Sequence, residues 1–339
     1  MKKHELSIAF QTDKRAQEYI DLAKLVNTYD FDTVTVYCDA PYHPSYPPLM
    51  LMAQHITRAR VGTAAIQPSR MHPIDIAAQA ALLDDVASGG TYIGIARGAW
   101  LADHGVTEVQ PPIQAIRETV EIIRYMLSGK SGGYQGEVYQ IADHVHAPYP
   151  LPDHDIPILI GTWGKKLAAV AGELADEVKI GGSANPDVIS VIADYIAVGE
   201  AQAGRPKGTV KIVIGAVSVI DEDREQARLM ARQAVALYMP IVAKLDPTVE
   251  IDPDLMARVQ HHVNAGESDQ AAQLIPDDLL ERFALAGNAN DIIRQCEQLF
   301  EAGAHRVELG TPHGVNQSAT GIHILGKQVI PALKEYLRG

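Results

Sequence analysis

The feature that most constrains this chain is a repeated alternation. Short apolar runs stand at residues 6–10, 33–37, 61–66, 91–96, 156–161, 177–180, 210–220 and 306–309, and helical patterns at 19–29, 74–86, 113–127, 165–174, 188–203, 292–302 and 321–337 follow or separate them. The segment IQAIRETVEIIRYML carries apolar residues three and four apart, the mark of an amphipathic helix. Strand–helix–strand order needs crossover connections and so builds a mostly parallel sheet. Roughly eight such units predict an α/β fold of the closed (β/α)8 TIM-barrel type rather than an open doubly wound sheet. No Gly-x-Gly-x-x-Gly follows the first run, which argues against a dinucleotide-binding sheet.

With 339 residues, 47% of them apolar, the chain can form one large domain spanning 1–339. Residues 221–285 exceed a single unit and read as an insertion between strands seven and eight, with helices over 223–238 and 253–264. Smaller excursions are expected at 39–48 and 129–157, the second holding the hairpin pattern GGYQGEVY.

A net charge of −13 excludes nucleic acid as the main partner, because phosphate neutralisation needs a basic surface. Cys38 and Cys296 lie far apart with no redox or metal-ligand spacing, and His144, His146 and His154 fit no tetrahedral metal pattern, so no metal site is expected. The basic N-terminus lacks an apolar core, and no run approaches the roughly 20 residues of a membrane helix. The expectation is a soluble cytoplasmic protein with a small-molecule substrate and no membrane partner.

Barrel ligands bind where the strands end. The run Ala64-Ala65-Ile66-Gln67-Pro68 is such an end, with side chains small enough for a flat ring to approach the backbone. Gly161-Thr162-Trp163-Gly164-Lys165 leaves the fifth strand and opens a helix, where free N–H groups suit a phosphate; Gly181-Gly182-Ser183 repeats the small-residue pattern one unit later. The ordinary alternative is helix capping by Thr162 or Gly164. Arg97-Gly98 ends the fourth strand, with Arg97 facing an anion or pairing with an acid such as Asp103. Asp39 ends the second strand as a site residue or a turn former. Tyr42, His43 and Tyr46 follow as a substrate wall, with His43 a candidate proton donor or a plain solvated residue. Asp103, His104 and Glu108 are candidate acids, as is His313; His72 precedes a proline and reads as structural.

Taken in order, Thr57-Arg-Ala-Arg-Val-Gly-Thr, Met71-His-Pro, Ala80-Ala-Leu-Leu-Asp-Asp-Val-Ala-Ser-Gly-Gly-Thr-Tyr-Ile-Gly-Ile-Ala-Arg-Gly, Pro157-Ile-Leu-Ile-Gly-Thr-Trp-Gly, Phe283-Ala-Leu-Ala-Gly-Asn and Gly303-Ala-His-Arg-Val-Glu-Leu-Gly resemble the bacterial luciferase-like superfamily over nearly the whole chain. Within it the chain is most similar to oxidoreductases of the deazaflavin coenzyme F420, nearest the methylenetetrahydromethanopterin reductases. They share the ending Leu309-Gly-Thr-Pro-His-Gly, then Ile324-Leu-Gly-Lys-Gln-Val-Ile-Pro, and the insertion Pro253-Asp-Leu-Met-Ala-Arg-Val.

The resemblance implies hydride transfer between the deazaflavin C5 and an organic substrate: a tetrahydropterin, a ketone or an alcohol. It implies a non-proline cis peptide at Ala64–Ala65 behind the ring. It places Asp39 and the loop Gly161, Thr162, Trp163, Gly164 and Lys165 at the cofactor; position at the strand ends adds Arg97, Gly98, Gly181 and Gly182, and Asp39, His43 and Glu108 are the candidate catalytic groups. A homodimer is the family expectation. The chain departs from the family at its acids. The reductases' first-strand glutamate corresponds to Ala9, and the sugar-phosphate dehydrogenases' His and Glu correspond to Ala40 and Ala99. An FMN-dependent monooxygenase and a non-catalytic cofactor-binding barrel therefore stand as alternatives.

Overall fold

The computed structural model describes residues 4–337. Eight parallel strands close into a barrel: β1 (Glu5–Phe10), β2 (Thr33–Tyr37), β3 (Arg60–Ala64), β4 (Thr91–Ala96), β5 (Ile158–Gly161), β6 (Glu177–Gly181), β7 (Lys211–Ile220) and β8 (Arg306–His313). They pair in sequence order, and β8 closes the ring by pairing with both β7 and β1. Alternation along each strand divides the core in two. Leu6, Ile8 and Phe10 of β1 and Val34 and Val36 of β2 face the surrounding helices in one continuous apolar cluster. Tyr92, Leu159 and Val213 form a small separate cluster on the inner side.

The helices between strands are α1 (Ala16–Val26), α2 (Tyr46–Ala53), α3 (Pro73–Val86), α4 (Pro112–Leu127), α5 (Lys165–Leu174) and α6 (Asp187–Gln202). The sequence reading placed 39–48 in a loop, with Tyr46 on a substrate wall. Instead Tyr46 opens α2, is 3% exposed and donates to Ile76 O at 3.3 Å. Pro47 and Pro48 disguised this helix, yet proline is tolerated in a first turn, where N–H groups have no intrahelical partner.

Between β7 and β8 lie α7 (Arg224–Val242), α8 (Pro253–Asn264), α9 (Ser268–Gln273), α10 (Asp277–Phe283), a short strand Ala284–Gly287 and α11 (Ala289–Glu301). The short strand pairs with the far half of β7, from Ala284 opposite Val217 to Gly287 opposite Ile220. Val235, Met239, Val259, Leu280 and Phe283 give this segment its own apolar cluster. The segment is pinned to the loop after β6. Asn185 donates to Asp246 at 2.9 Å, and Arg282 donates to Asn185 at 2.9 Å.

The helix read over 321–337 is broken: α12 (Ser318–Ile324) passes into a π-helical turn, Leu325–Val329, ahead of Pro331. Proline lacks the N–H that would continue the ladder and clashes with the preceding turn. The hairpin in the second excursion is present as Tyr134–Gln135 against Gln140–Ile141.

Candidate active site

Every second residue of a strand faces the barrel axis. One pleat above Ser7, Gly62, Tyr92, Leu159, Lys179 and Glu308 stand Ala9, Ala64, Gly94, Gly161, Gly181 and Gly310. The upper inner layer is thus lined by hydrogen or methyl on six of the eight strands. Tyr37 is its one aromatic wall. The result is a shallow bowl with a flat floor. A Cβ built on Gly161 would sit 3.3 Å from the Ala96 methyl and 3.9 Å from the Ala65 methyl, so these three residues meet. A Cβ on Gly181 would meet nothing within 4 Å and would project into the open bowl. The Ala64–Ala65 peptide is cis, as the sequence reading expected, and Ile66 bridges to β4 just beyond it. This floor fits a planar heterocycle.

Two loops form one rim. Gly164 caps α5 through its backbone, and no side chain caps that helix; Gly164 N donates to the Thr162 hydroxyl at 3.1 Å. Trp163 does not stack over the bowl freely: its indole N–H donates to Gly181 O at 3.2 Å, tying this loop to the next. The Lys165 ammonium lies 5.8 Å from the Tyr195 ring centroid. Gly182 has φ +78°, a conformation that favours glycine, and its Cβ would come within 3.1 Å of Val242 on α7. The rim residues of the fifth and sixth units are therefore neighbours, backed by the β7–β8 segment.

The opposite rim holds the predicted acids. Asp39 accepts from Gln11 Nε2 at 3.0 Å. His43 is exposed, and its backbone N–H donates to Thr12 O at 3.0 Å. Arg97 pairs not with Asp103 but with Glu108, two-pronged at 2.8 and 3.0 Å. Both candidates are thereby engaged with each other at the rim. Gly98 has φ +99° beside Gln67.

Three further residues are structural, His72 as the sequence indicated. Burial pushes the Cys38 thiol up to about 12, which leaves no nucleophile. His72 caps α3, accepting from Ile74 N at 3.3 Å. His313 is fully buried, and burial lowers it to about 3, so it is neutral. Its Nε2–H donates to Leu309 O at 3.3 Å, and Nδ1 accepts from the Ser318 hydroxyl at 2.6 Å.

The sequence reading missed the polar centre of the floor. Glu308 of β8 is fully buried, accepts from Thr35 Oγ1 at 2.7 Å and is ion-paired with Lys179 of β6. Thr35 also bonds Tyr92 Oη at 2.7 Å. The Lys179 Nζ lies 5.1 Å from the Tyr37 ring centroid. A visible signal existed: Glu-Val-Lys-Ile and Arg-Val-Glu-Leu alternate charged with apolar residues, which in a barrel strand turns every charge toward the axis.

Below this pair an ionic layer closes the barrel. Glu177 accepts from Arg306 at 2.6 Å and Arg60 at 2.7 Å, and both guanidinium groups lie 5.1 Å from the Tyr92 ring centroid. Burial raises Glu177, but its two arginines prevail and hold the carboxyl below its ordinary value. Among the described residues no cluster could hold a metal ion, and no helix is long and apolar enough to cross a membrane.

A parallel eight-stranded barrel with a small-residue bowl, a cis peptide at the end of β3 and a helical segment between β7 and β8 defines a distinct class of barrel proteins. The chain belongs to the luciferase-like monooxygenase family, whose sequence profile matches residues 4–306. It is 28% identical over 340 residues to the 5,10-methylenetetrahydromethanopterin reductase of Archaeoglobus fulgidus, covering 97% of this chain and all of that one. Its fold superposes on the coenzyme F420-dependent tetrahydromethanopterin reductase of Methanopyrus kandleri with TM-score 0.88 at 23% identity, covering 97% of this chain and 99% of that one. An F420-dependent secondary alcohol dehydrogenase, solved with an F420–acetone adduct, gives TM-score 0.78 at 20% identity over 98% of this chain and 99% of that one.

Proposed function

We propose that the chain is a coenzyme F420-dependent oxidoreductase acting on a C=N or C=O bond, or on the corresponding amine or alcohol. The observation that carries this reading is the bowl floor: Ala65, Ala96 and Gly161 meet as methyls and hydrogen, and Gly181 leaves open space opposite. Ala64, Ala65, Gly161 and Gly181 would lie against the ring. The uncapped first turn of α5, with Thr162, Trp163, Gly164, Lys165 and Gly182 around it, would hold the phosphate-bearing tail. Asp39, Arg97 and Gly98 would border the ring from the other rim. When bound, the coenzyme supplies hydride chemistry; the chain supplies orientation, water exclusion and protons.

The relatives named above act on a tetrahydropterin in one case and bind an acetone adduct in another, which supports this pair of substrate classes. The reading as a non-catalytic barrel has no support among them. The working form is taken as a homodimer in the cytoplasm; sedimentation of the purified protein tests the dimer.

The primary test is a fluorescence-quench titration of the purified chain with F420, with FMN in parallel. Saturable binding of F420 at about micromolar concentration, tighter than FMN by about tenfold or more, is expected. Preference for FMN would overturn the reading in favour of an oxygen-dependent monooxygenase. Binding of neither would leave the fold without this function.

A further inference from the structure

The reductases' first-strand acid is absent here, because position 9 is a fully buried alanine. Reduction of a C=N or C=O bond nonetheless requires a proton. Two electrons and one hydrogen reach the carbon, the π pair moves to the heteroatom, and that atom must be protonated. Glu108 is held by Arg97 at the rim, His313 is buried and neutral, and His43 is solvated outside the bowl.

One ionisable N–H group remains in the floor itself. Lys179 rises from β6 directly beneath Gly181, and its side chain is 9% exposed. The ionic layer of Arg306, Glu177 and Arg60 closes the barrel below it, so that small exposure opens upward into the bowl. Glu308 fixes the ammonium from one side, and Thr35 fixes Glu308 in turn. The register sets Lys179 opposite Gly161 of β5, one of the three residues that form the flat floor. Gly215 of β7 keeps the space open, since a Cβ there would lie 3.0 Å from Lys179 Cε and 3.2 Å from Glu308 Oε1. An ammonium has three donors. Glu308 takes one, which leaves two for a ligand.

We propose that Lys179 is the proton donor of the bowl and Glu308 its positioning residue, in the role that Ala9 leaves open. The inference rests on the deazaflavin reading, whose dihydro form supplies the two electrons. In the step, the Lys179 Nζ–H bond breaks and the heteroatom–H bond forms. The nitrogen keeps its electron pair as a neutral amine bonded to Glu308, and a proton taken up from bulk solvent through the mouth restores the ammonium. In the oxidative direction the same amine takes the proton. The other ionisable groups around the pair are Tyr37 of β2, Tyr92 of β4, Arg306 and Glu177 one pleat below, Asp39 at the rim and Tyr238 of α7. Burial raises the Tyr37 phenol well above its usual value, so it stays neutral alongside the ammonium.

The test uses the full chain, F420, and two probes, methylenetetrahydromethanopterin and acetone, in F420 binding titrations and single-turnover reduction. Lys179→Met is expected to bind F420 within about threefold of wild type and to react about a hundredfold or more slowly. Glu308→Gln, which removes the group that fixes the ammonium, is expected to slow the step with F420 affinity unchanged. Lys179→Arg keeps the charge but gives up its proton poorly, so it binds F420 like wild type and still reacts slowly.

Because Lys179→Met strands a buried carboxylate, Lys179→Met/Glu308→Gln is run beside it and must show the same slow reaction with F420 binding kept. A rate in either Met variant equal to wild type would overturn the inference. A wild type that binds F420 but reduces neither probe would overturn it as well. Failure of wild type to bind F420 at all would instead remove the functional reading beneath it.

Discussion

Gly215 on β7 and Lys179 on β6 are complementary: a Cβ on the glycine would stand 3.0 Å from Lys179 Cε, so the absence of one is what lets the lysine reach Glu308. Gly215→Val is expected to force the pair apart at a cost of about 1–3 kcal/mol in unfolding free energy, the usual range for overpacking a dense interior. Urea denaturation reads it directly. An unchanged midpoint would mean that the pair has slack the distances do not suggest.

Gly181 is the contrasting position, because a side chain there would occupy the bowl rather than the protein. Gly181→Val is expected to change stability by no more than about 0.5 kcal/mol and to weaken F420 binding by about tenfold or more. Thermal melts and the quench titration, run on one preparation, separate the two effects. Intact affinity would place the ring elsewhere.

Acid should destabilise the fold in two distinguishable stages. Burial keeps His313 neutral down to about pH 3, whereas the unfolded chain takes up that proton near 6.5. The unfolded state therefore binds more protons below 6.5, and stability falls as pH drops from there toward 3. Glu118 is also fully buried. Burial alone would raise it, but it accepts from Gln114 and from the backbone N–H groups of Tyr139, Val138 and Glu137 at 2.7–2.9 Å, which lowers it below 4.5. Its contribution is complete above about pH 4.5 and is lost as pH falls through the lowered value. His313→Gln should flatten the first stage, and Glu118→Gln the second. Denaturant midpoints at about pH 7, 5.5, 4.5 and 3 test both, and parallel slopes in all three proteins would refute the assignment.

Asp246 anchors the β7–β8 segment, accepting from Asn185 at 2.9 Å and from Thr248 N and Oγ1 at 2.8 and 2.7 Å. Asp246→Ala removes a buried acceptor from Asn185 and Thr248, leaving Asn185 Nδ2 only the Thr248 hydroxyl at 2.8 Å, and should cost about 1–3 kcal/mol. Limited proteolysis is expected to cut between α7 and α8 sooner than in wild type. Equal cutting rates would show that the apolar contacts of α7 alone hold the segment down.

Where local pattern and global fold agree, the chain was readable: β2, β4, α5 and α8 fall at the residues the periodicity indicates. Small-residue strand ends were readable too, because glycine and alanine mark close backbone approach whatever lies above. Side-chain partnerships were not. Glu108 meets Arg97 through the folding back of the loop between β4 and α4, and Glu308, 129 residues from Lys179, meets it because β6 and β8 both flank β7. Tyr46 shows the reverse failure, where two prolines imitated a loop at the start of a helix.

The ionic layer of Arg306, Glu177 and Arg60 turns the barrel into a well with a sealed bottom. Two reactants must then share a single doorway. Whichever settles deeper has to arrive first and depart last, so the order of traffic is written into the base of the barrel, remote from any group that does chemistry.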